Sequence, residues 1–215
     1  MDVLASEVKT FVDAGANVGD WSARLLQRSG VAKGYCFDPS RQCAARLRDR
    51  FANEPVEIRQ LALSNQAGEA SFLEKSDCGE TSSLFGPGNC ADGTIAQVQV
   101  ATLDNEIEQQ EEAIDWVKVD CEGWDLKVLQ GAKELLNRVR FVQFEYNTYW
   151  LRSGSSLREA INYLETFGFQ IYVIKNDGLH PFCYEIWGDY FRYSNFFACR
   201  AGDVRVVSAI LGHEI

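Results

Sequence analysis

The stretch that most constrains the fold runs from Phe11 to Trp21 and reads F-V-D-A-G-A-N-V-G-D-W. A short apolar run ends at Asp13, glycine or asparagine then occupies alternate positions, and a helical pattern begins at once. Glycine, and to a lesser extent asparagine, tolerates a positive φ and lets a ligand approach the main chain closely. The stretch therefore predicts a strand, a tight turn and a helix, which form either a ligand-binding loop or an ordinary strand-to-helix turn.

The spacing of Gly15, Asn17 and Gly19 distinguishes between classes of ligand. A dinucleotide-binding loop carries glycines at positions i, i+2 and i+5, but Asn17 and Asp20 stand where its second and third glycines belong. Asp20 at the helix start would also repel a pyrophosphate. The pattern D-x-G-x-N-x-G instead resembles the D/E-x-G-x-G-x-G loop of class I methyltransferases, which bind S-adenosylmethionine.

Composition limits the class of protein. The 215 residues, 46% of them hydrophobic, predict a single domain over residues 1–215 with a β insertion at about 69–102. A net charge of −10 argues against a nucleic-acid binder, which needs a basic face. No apolar stretch approaches the ~18 residues that span a bilayer, and residues 1–10 lack a signal-peptide pattern, so we expect a cytoplasmic protein. The seven cysteines form no C-x-x-C pair and predict reduced thiols.

Strands and helices alternate along the chain, which predicts an α/β fold with a doubly wound, Rossmann-like sheet. We expect seven mostly parallel strands with helices on both faces. The last strand follows its predecessor through a loop alone and is therefore predicted to run antiparallel. Two segments with period-two alternation, 69–75 and 96–102, predict a small antiparallel β insertion. The link 76–94 between them is predicted to be either a lid over the site or a surface connection.

Polar residues follow several predicted strands, and in an open α/β sheet the ligand crevice lies beyond the carboxyl ends of the strands. Asp38, a little over twenty residues beyond the glycine turn, is placed to accept both hydroxyls of a ribose. It could instead simply precede a helix that Ser40 caps. The polar strand ends are Asp13, Asp38, Ala62 to Asn65, Asp120 with Glu122, and Glu145 with Asn147.

The strongest single motif is V-K-V-D-C-E-G-W-D-L-K-V-L-Q-G-A at residues 117–132. It resembles the hallmark of FkbM-type methyltransferases, a strand followed by D-x-E-G and then by a helix that ends V-L-x-G-A. The chain departs from the family at the front, because many members carry helices before the first strand and about ten residues precede it here. Enclosure of the substrate would then come from the 76–94 link, the 176–189 loop or a partner subunit. Further matches follow in the family's order at residues 11–19, 37–39, 61–65, 82–84, 102–104 and 144–147.

The resemblance covers about residues 10 to 200 and implies methyl transfer from S-adenosylmethionine. The acceptor that it implies is a hydroxyl of a sugar, a glycan precursor or a natural product. The implied cofactor-binding residues are Asp13, Gly15, Ala16, Asn17 and Gly19 for the methionine end, Asp38 with Pro39 for the ribose, Ala62 with Leu63 for the adenine edge, and Asp120 facing the sulfonium.

A base that removes the hydroxyl proton typically adds ~10²–10⁴-fold to the rate. The candidates are Asp120, Glu122, Glu145 and His180. Asp120 and Glu122 are two residues apart and can point to one face, where like charges raise each other's pKa, whereas Glu122 could equally cap the helix that follows. His180 lies in a predicted loop, where a solvated histidine is the simpler interpretation.

A metal-dependent mechanism stays open at this stage. Catechol-type methyltransferases hold Mg²⁺ with carboxylates after the fourth and fifth strands and with an asparagine, and Asp120, Glu145 and Asn147 stand at comparable positions. The alternative to an active enzyme is a small-molecule-binding or scaffold protein that kept the fold. The expected partner is a small-molecule or glycan acceptor, and the aromatic C-terminal half leaves a homo-oligomer open.

Overall fold

The computed structural model describes residues 2–28, 30–74, 78, 84, 93–107, 113–200 and 203. The strands are β1 (Thr10–Ala14), β2 (Lys33–Phe37), β3 (Val56–Arg59), β4 (Ala62–Leu63), β5 (Gly68–Glu74), β6 (Thr94–Ala101), β7 (Ile114–Val119), β8 (Val139–Tyr146), β9 (Phe169–Lys175), β10 (Gly178–Pro181) and β11 (Ser194–Arg200). The α-helices are α1 (Asp2–Ala5), α2 (Asp20–Leu26), α3 (Arg41–Arg50), α4 (Leu103–Glu106), α5 (Asp125–Gln130), α6 (Trp150–Ser153), α7 (Leu157–Glu165) and α8 (Tyr184–Trp187).

The main sheet has eight strands in the order β10-β9-β11-β8-β7-β1-β2-β3. Its strands β3, β2, β1, β7 and β8 are mutually parallel, and β11 runs antiparallel between β8 and β9. The predicted doubly wound sheet with an antiparallel last strand is confirmed. The sheet has one edge strand more than expected, because residues 178–181 pair with β9 instead of forming a loop.

Both faces of the main sheet are buried, which explains why its strands are apolar runs. Successive side chains point to opposite faces, so Phe11 and Trp116 join one core while Val12 and Val117 join the other. The first core is completed by α1, α2 and α3, and the second by α4, α5 and α7. The carboxyl ends of the parallel strands are thereby left open between these two layers.

Local sequence explains where the two longest helices begin. Ser40 caps α3, since its Oγ accepts a hydrogen bond from the main-chain N–H of Cys43 at 3.2 Å. Ser156 and Glu159 form a capping box at the start of α7. The Ser40 cap fixes the chain immediately after β2, at the edge of the sheet where the predicted crevice lies.

A second, three-stranded sheet has the order β4-β6-β5. Strands β5 and β6 are antiparallel, as predicted, and β4 pairs with β6 in parallel. Residues 56–63 alternate like one strand, but the chain turns after Arg59 and passes from one sheet to the other. A hydrogen bond from the N–H of Leu61 to the carbonyl of Arg59, 3.1 Å long, marks this turn. The turn brings residues 61–63 to the crevice.

The predicted link 76–94 lies largely outside the described residues, which include only Cys78, Leu84, Gly93 and Thr94 of it. Its function as a lid therefore stays a prediction. Within the described ranges, none of the helices is both long enough and apolar enough to cross a membrane.

Candidate active site

A cleft of about 740 Å³ lies at the carboxyl ends of the parallel strands. Its walls come from the residues that follow β1, β2, β7 and β8, and from the small sheet. Such a crevice is the usual ligand site of an open α/β sheet. Most of the site residues predicted from the sequence line this cleft. They are Gly15, Ala16, Asn17, Asp38, Pro39, Ala62, Leu63, Asp120, Glu122, Glu145 and Asn147.

The turn after β1 forms the floor of the cleft. Gly15, Asn17 and Gly19 have positive φ values of 77°, 51° and 80°, as their alternate spacing predicts. A Cβ on Gly15 would lie 2.0 Å from the carbonyl oxygen of Asp120, so glycine is required for this close approach. The turn is thus fixed directly against the strand end that carries Asp120. Gly19, by contrast, packs against Leu47 and Phe51 and does not line the cleft.

Asp38 follows β2 and is buried at the edge of the cleft. One carboxylate oxygen accepts a hydrogen bond from the N–H of Asn17 at 2.8 Å, and the other accepts from the N–H of Ser40 at 2.9 Å. Burial raises the pKa of Asp38 to about 7, against the effect of these two N–H groups. Each oxygen keeps a further acceptor position, so the carboxylate can take hydrogen bonds from two vicinal hydroxyls.

Asp13 does not line the cleft, which corrects the expectation that it contacts a cofactor. Its side chain is fully buried and accepts hydrogen bonds from the Ser22 hydroxyl at 2.6 Å and from Lys118 at 3.2 Å. The side chain of a strand-end residue can point either to the crevice or to a flanking helix, and Asp13 points to α2. Its contribution is to hold the strand end and Lys118 in place.

Lys118 is a site residue that sequence reasoning missed. Its ammonium lies 3.2 Å from Asp13 Oδ1 and 3.3 Å from Asp120 Oδ2, and so links the buried carboxylate to the one in the cleft. Burial lowers the pKa of Lys118, but the two carboxylates outweigh burial and hold it above its usual range. A lysine inside the apolar run of β7, two residues before Asp120, was the available signal.

The wall beside Asp38 is largely apolar. Leu61, Ala62 and Leu63 come from the turn into the small sheet and from β4, and Phe72 comes from β5. The described part of the link between β5 and β6 adds Leu84. A flat apolar group next to the two vicinal hydroxyls would fit this wall.

The opposite end of the cleft is acidic. Asp120, Glu122 and Glu145 each bring one carboxylate oxygen to within 4.8 Å of the other two. Burial, together with the charge of Asp120, raises the pKa of Glu145 to about 7. The Asn147 amide and the Tyr193 hydroxyl both donate hydrogen bonds to the Glu145 carboxylate. A carboxyl that titrates near neutral pH and faces a cleft is suited to accept a proton.

The D-C-E-G-W-D segment shapes this acidic end. Glu122 has a left-handed φ of 50°. The helix α5 begins only at Asp125, with Trp124 as its N-cap. Asp125 was also missed: it is fully buried, and its two oxygens accept hydrogen bonds from the N–H groups of Gly123 and Glu145, both at 3.2 Å. Burial and the charges of Asp120 and Glu145 raise its pKa. Asp125 thereby joins the motif to the end of β8.

Asn147, a predicted Mg²⁺ ligand, is engaged by neighbouring residues. The amide nitrogen of Asn147 donates to Glu145, and its oxygen accepts from the N–H of Tyr149 at 2.8 Å. Asp120, a second residue of the predicted set, already pairs with the Lys118 ammonium.

The structure does not bring His180 to the site. It lies on the edge strand β10, paired with Val173, and its ring contacts Asp177 at 2.9 Å. It is not among the residues that line the cleft. Three of the four proposed catalytic residues are thus together in the cleft, and the fourth is outside it.

Comparison with known proteins agrees with this geometry. Residues 13–171 match the methyltransferase FkbM domain. The chain is similar to the 2-O-methyltransferase NoeI of Sinorhizobium fredii, at 28% identity over 184 residues that cover 78% of this chain and 75% of NoeI.

Solved structures share the fold. Similarity to the methyltransferase FkbM of Methylobacillus flagellatus has a TM-score of 0.56 at 17% identity and covers 88% of this chain but 43% of that one. The chain thus spans less than half of that protein's length. A protein of Streptococcus mutans solved in complex with SAH has a TM-score of 0.51 at 12% identity, over 93% of this chain and 94% of that one. Residues 13–171 match the family's domain, and the sheet order and the cleft at the strand ends agree with that match. The chain therefore belongs to the FkbM family of methyltransferases.

Proposed function

We propose that the protein is an S-adenosylmethionine-dependent O-methyltransferase that acts on a hydroxyl of a sugar, a glycan precursor or a natural product. The observation that carries the proposal is that two buried carboxyls, Asp38 and Glu145, line one cleft from the ends of β2 and β8. Asp38 is suited to bind the ribose of the donor, and Glu145 is suited to accept the hydroxyl proton of the acceptor. The name of NoeI, a 2-O-methyltransferase, supports transfer to oxygen.

The residues present fit this donor. Asp38 has acceptor positions for both ribose hydroxyls, and Leu61, Leu63 and Phe72 form an apolar wall for the adenine. The turn at Gly15, Ala16 and Asn17 lines the cleft and so borders the rest of the molecule. When bound, S-adenosylmethionine supplies a methyl group on a positively charged sulfur, which needs little covalent help from the protein.

The chain's own contribution is alignment and proton transfer. Alignment of two reactants can account for up to ~7–11 kcal/mol of a barrier. Glu145 accepts the hydroxyl proton of the acceptor on its carboxylate, while Lys118 holds the neighbouring Asp120 in the cleft. The acceptor hydroxyl takes the place of the Tyr193 hydroxyl, which donates to Glu145 in this structure. Tyr193 can yield this position because it is 70% exposed.

We also propose that residues 1–215 act as one methyltransferase domain, with the small sheet as an insertion. Support comes from the cleft itself, since its walls combine residues of the main sheet with Ala62, Leu63 and Phe72 of the small one.

The test is a calorimetric titration with S-adenosylhomocysteine, followed by incubation with methyl-labelled S-adenosylmethionine and a panel of hydroxyl compounds. The panel includes glycosides with a free 2-hydroxyl and phenolic natural products. We expect micromolar binding of S-adenosylhomocysteine and label in an acid-stable ether product. A folded sample that shows neither heat nor thermal stabilisation with either nucleoside would contradict the proposal.

A further inference from the structure

Arg24 lies on the face of α2 that borders the cleft. Asp20, Trp21 and Arg24 of this helix line the cleft, whereas Ser22 and Leu25 are buried against the core. The positions i, i+1 and i+4 share one side of a helix, so Arg24 stands one turn beyond the floor made by the β1 turn. It is a cleft residue that neither the motifs nor the strand ends pointed to.

The charges in the cleft make this arginine unusual. The acidic residues of the described lining are Asp20, Asp38, Asp120, Glu122 and Glu145, and the basic ones are Arg24 and Lys118. Lys118 is buried between two carboxylates, and Asp20 already pairs with Arg50 at 2.7 Å. Arg24 is exposed, and within the described part of the chain no hydrogen bond or ion pair engages it. The guanidinium of Arg24 is therefore available to a ligand.

The order of the strands indicates which part of a ligand reaches Arg24. The ribose carboxylate Asp38 follows β2, and the acidic end follows β7 and β8. Strand β1 lies between them and leads through Gly15 and Asn17 directly into α2. If the ribose of the donor lies at β2 and its methyl group faces β7 and β8, the amino-acid tail is the part that remains to be placed. The helix α2 is the wall of the cleft nearest to that tail.

We propose that Arg24 binds the α-carboxylate of the donor's amino-acid tail. This inference rests on the proposed function, since it assumes an S-adenosylmethionine donor. A planar guanidinium matches a carboxylate with two parallel hydrogen bonds, which a point charge cannot do. In a cleft with five acidic side chains, the carboxylate of the zwitterionic tail needs such a partner to offset their repulsion. The acceptor is served by other residues, because Glu145, Tyr149 and Tyr193 stand on the far side of β1.

The experiment compares two ligands by calorimetry. S-adenosylhomocysteine carries the amino-acid tail, and 5′-methylthioadenosine has the same adenosine and thioether without it. We expect Arg24→Met to weaken S-adenosylhomocysteine by ~10–100-fold, the range for a charged hydrogen-bonded pair, and to leave 5′-methylthioadenosine within about 2-fold. Arg24→Lys, which keeps the charge and loses the planar fork, should lie between the wild type and Arg24→Met.

Arg48→Met is the matched control, because it removes another exposed arginine, which lies on α3 outside the cleft lining. It should change neither affinity. Equal losses for both ligands in Arg24→Met, or no loss for either, would overturn the inference and leave the proposed function intact. A wild-type protein that binds neither ligand would overturn the proposed function and this inference with it.

Discussion

The two halves of the cleft hold a buried carboxyl in different ways. Asp38, in the half that we propose for the donor, is fixed by two main-chain N–H groups, those of Asn17 and Ser40. Glu145, in the half that we propose for the acceptor, is contacted by two side chains, the Asn147 amide and the Tyr193 hydroxyl. Both carboxyls have a pKa raised to about 7, mainly by burial. Main-chain donors give a rigid receptor for an invariant cofactor, whereas side-chain donors can rearrange for an acceptor and for a proton.

The largest expected effect separates chemistry from donor binding. Glu145→Gln removes the proton acceptor but keeps the shape and the hydrogen-bond acceptor for Asn147. We expect methyl transfer to fall by ~10²–10⁴-fold, the usual contribution of a general base, with little change in S-adenosylhomocysteine affinity. The measurement is the single-turnover rate with the acceptor found in the panel, beside calorimetry. A variant with unaltered rate would show that Glu145 is not the base.

The reciprocal change lies in the donor half. Asp38→Asn removes the charge that receives the ribose hydroxyls, and it turns an amide towards two N–H groups that need acceptors. We expect S-adenosylhomocysteine affinity to fall by ~10–100-fold, because hydrogen bonds to a charged group contribute about 1.5–3 kcal/mol. Calorimetry measures the loss, and the melting temperature checks that the variant is folded. Affinity equal to that of the wild type would remove Asp38 from the donor site.

The third expected effect concerns stability and applies to both halves. Each carboxyl has a pKa in the folded protein above its ordinary value, so the folded state binds protons more tightly than the unfolded chain. The stabilisation is complete below the ordinary pKa and is lost as the pH rises through about 7. Asp38→Asn and Glu145→Gln should each flatten the decline in unfolding free energy across this window by roughly 3–4 kcal/mol, because a pKa difference of one between the folded and unfolded states corresponds to about 1.4 kcal/mol.

Denaturant unfolding at a series of pH values measures that slope, with Arg48→Met as a control that leaves both carboxyls in place. A slope that neither carboxyl variant alters would mean that other groups set the pH dependence. If only one of them flattens the curve, the comparison between the halves becomes sharper, since the two carboxyls then differ in burial energetics as well as in their partners.

The same contrast explains how far the sequence could predict the site. The donor half depends on local main-chain geometry, so Gly15, Asn17 and Asp38 could be placed from spacing and strand ends. In the acceptor half, Asp120 and Glu145 could also be placed from strand ends, but two of the contacts there join side chains distant in sequence. The bond from Tyr193 to Glu145 leaves no local pattern, and neither does the contact of Lys118 with Asp13.

The fold shows a similar limit. Alternating strands and helices predicted the parallel sheet, because hydrophobic periodicity reports burial directly. This periodicity could not predict that residues 56–63 divide between two sheets, since apolar residues continue through both parts and the turn after Arg59 carries neither glycine nor proline. Asp13 lies on the same face of β1 as Phe11, two residues earlier, but the sequence did not reveal that α2 covers this face at the strand end.

The Ser40 hydroxyl has a consequence for how such enzymes can be altered. It caps α3, and it also donates a hydrogen bond to Glu74 at the end of β5 in the small sheet. Glu74 in turn raises the pKa of Asp38, after burial and Asp13. The small sheet therefore cannot be exchanged between homologues to change acceptor specificity alone. A chimera that replaces the small sheet also replaces Glu74, a charged neighbour of the Asp38 carboxyl. Such an exchange is therefore expected to change the affinity for the donor as well.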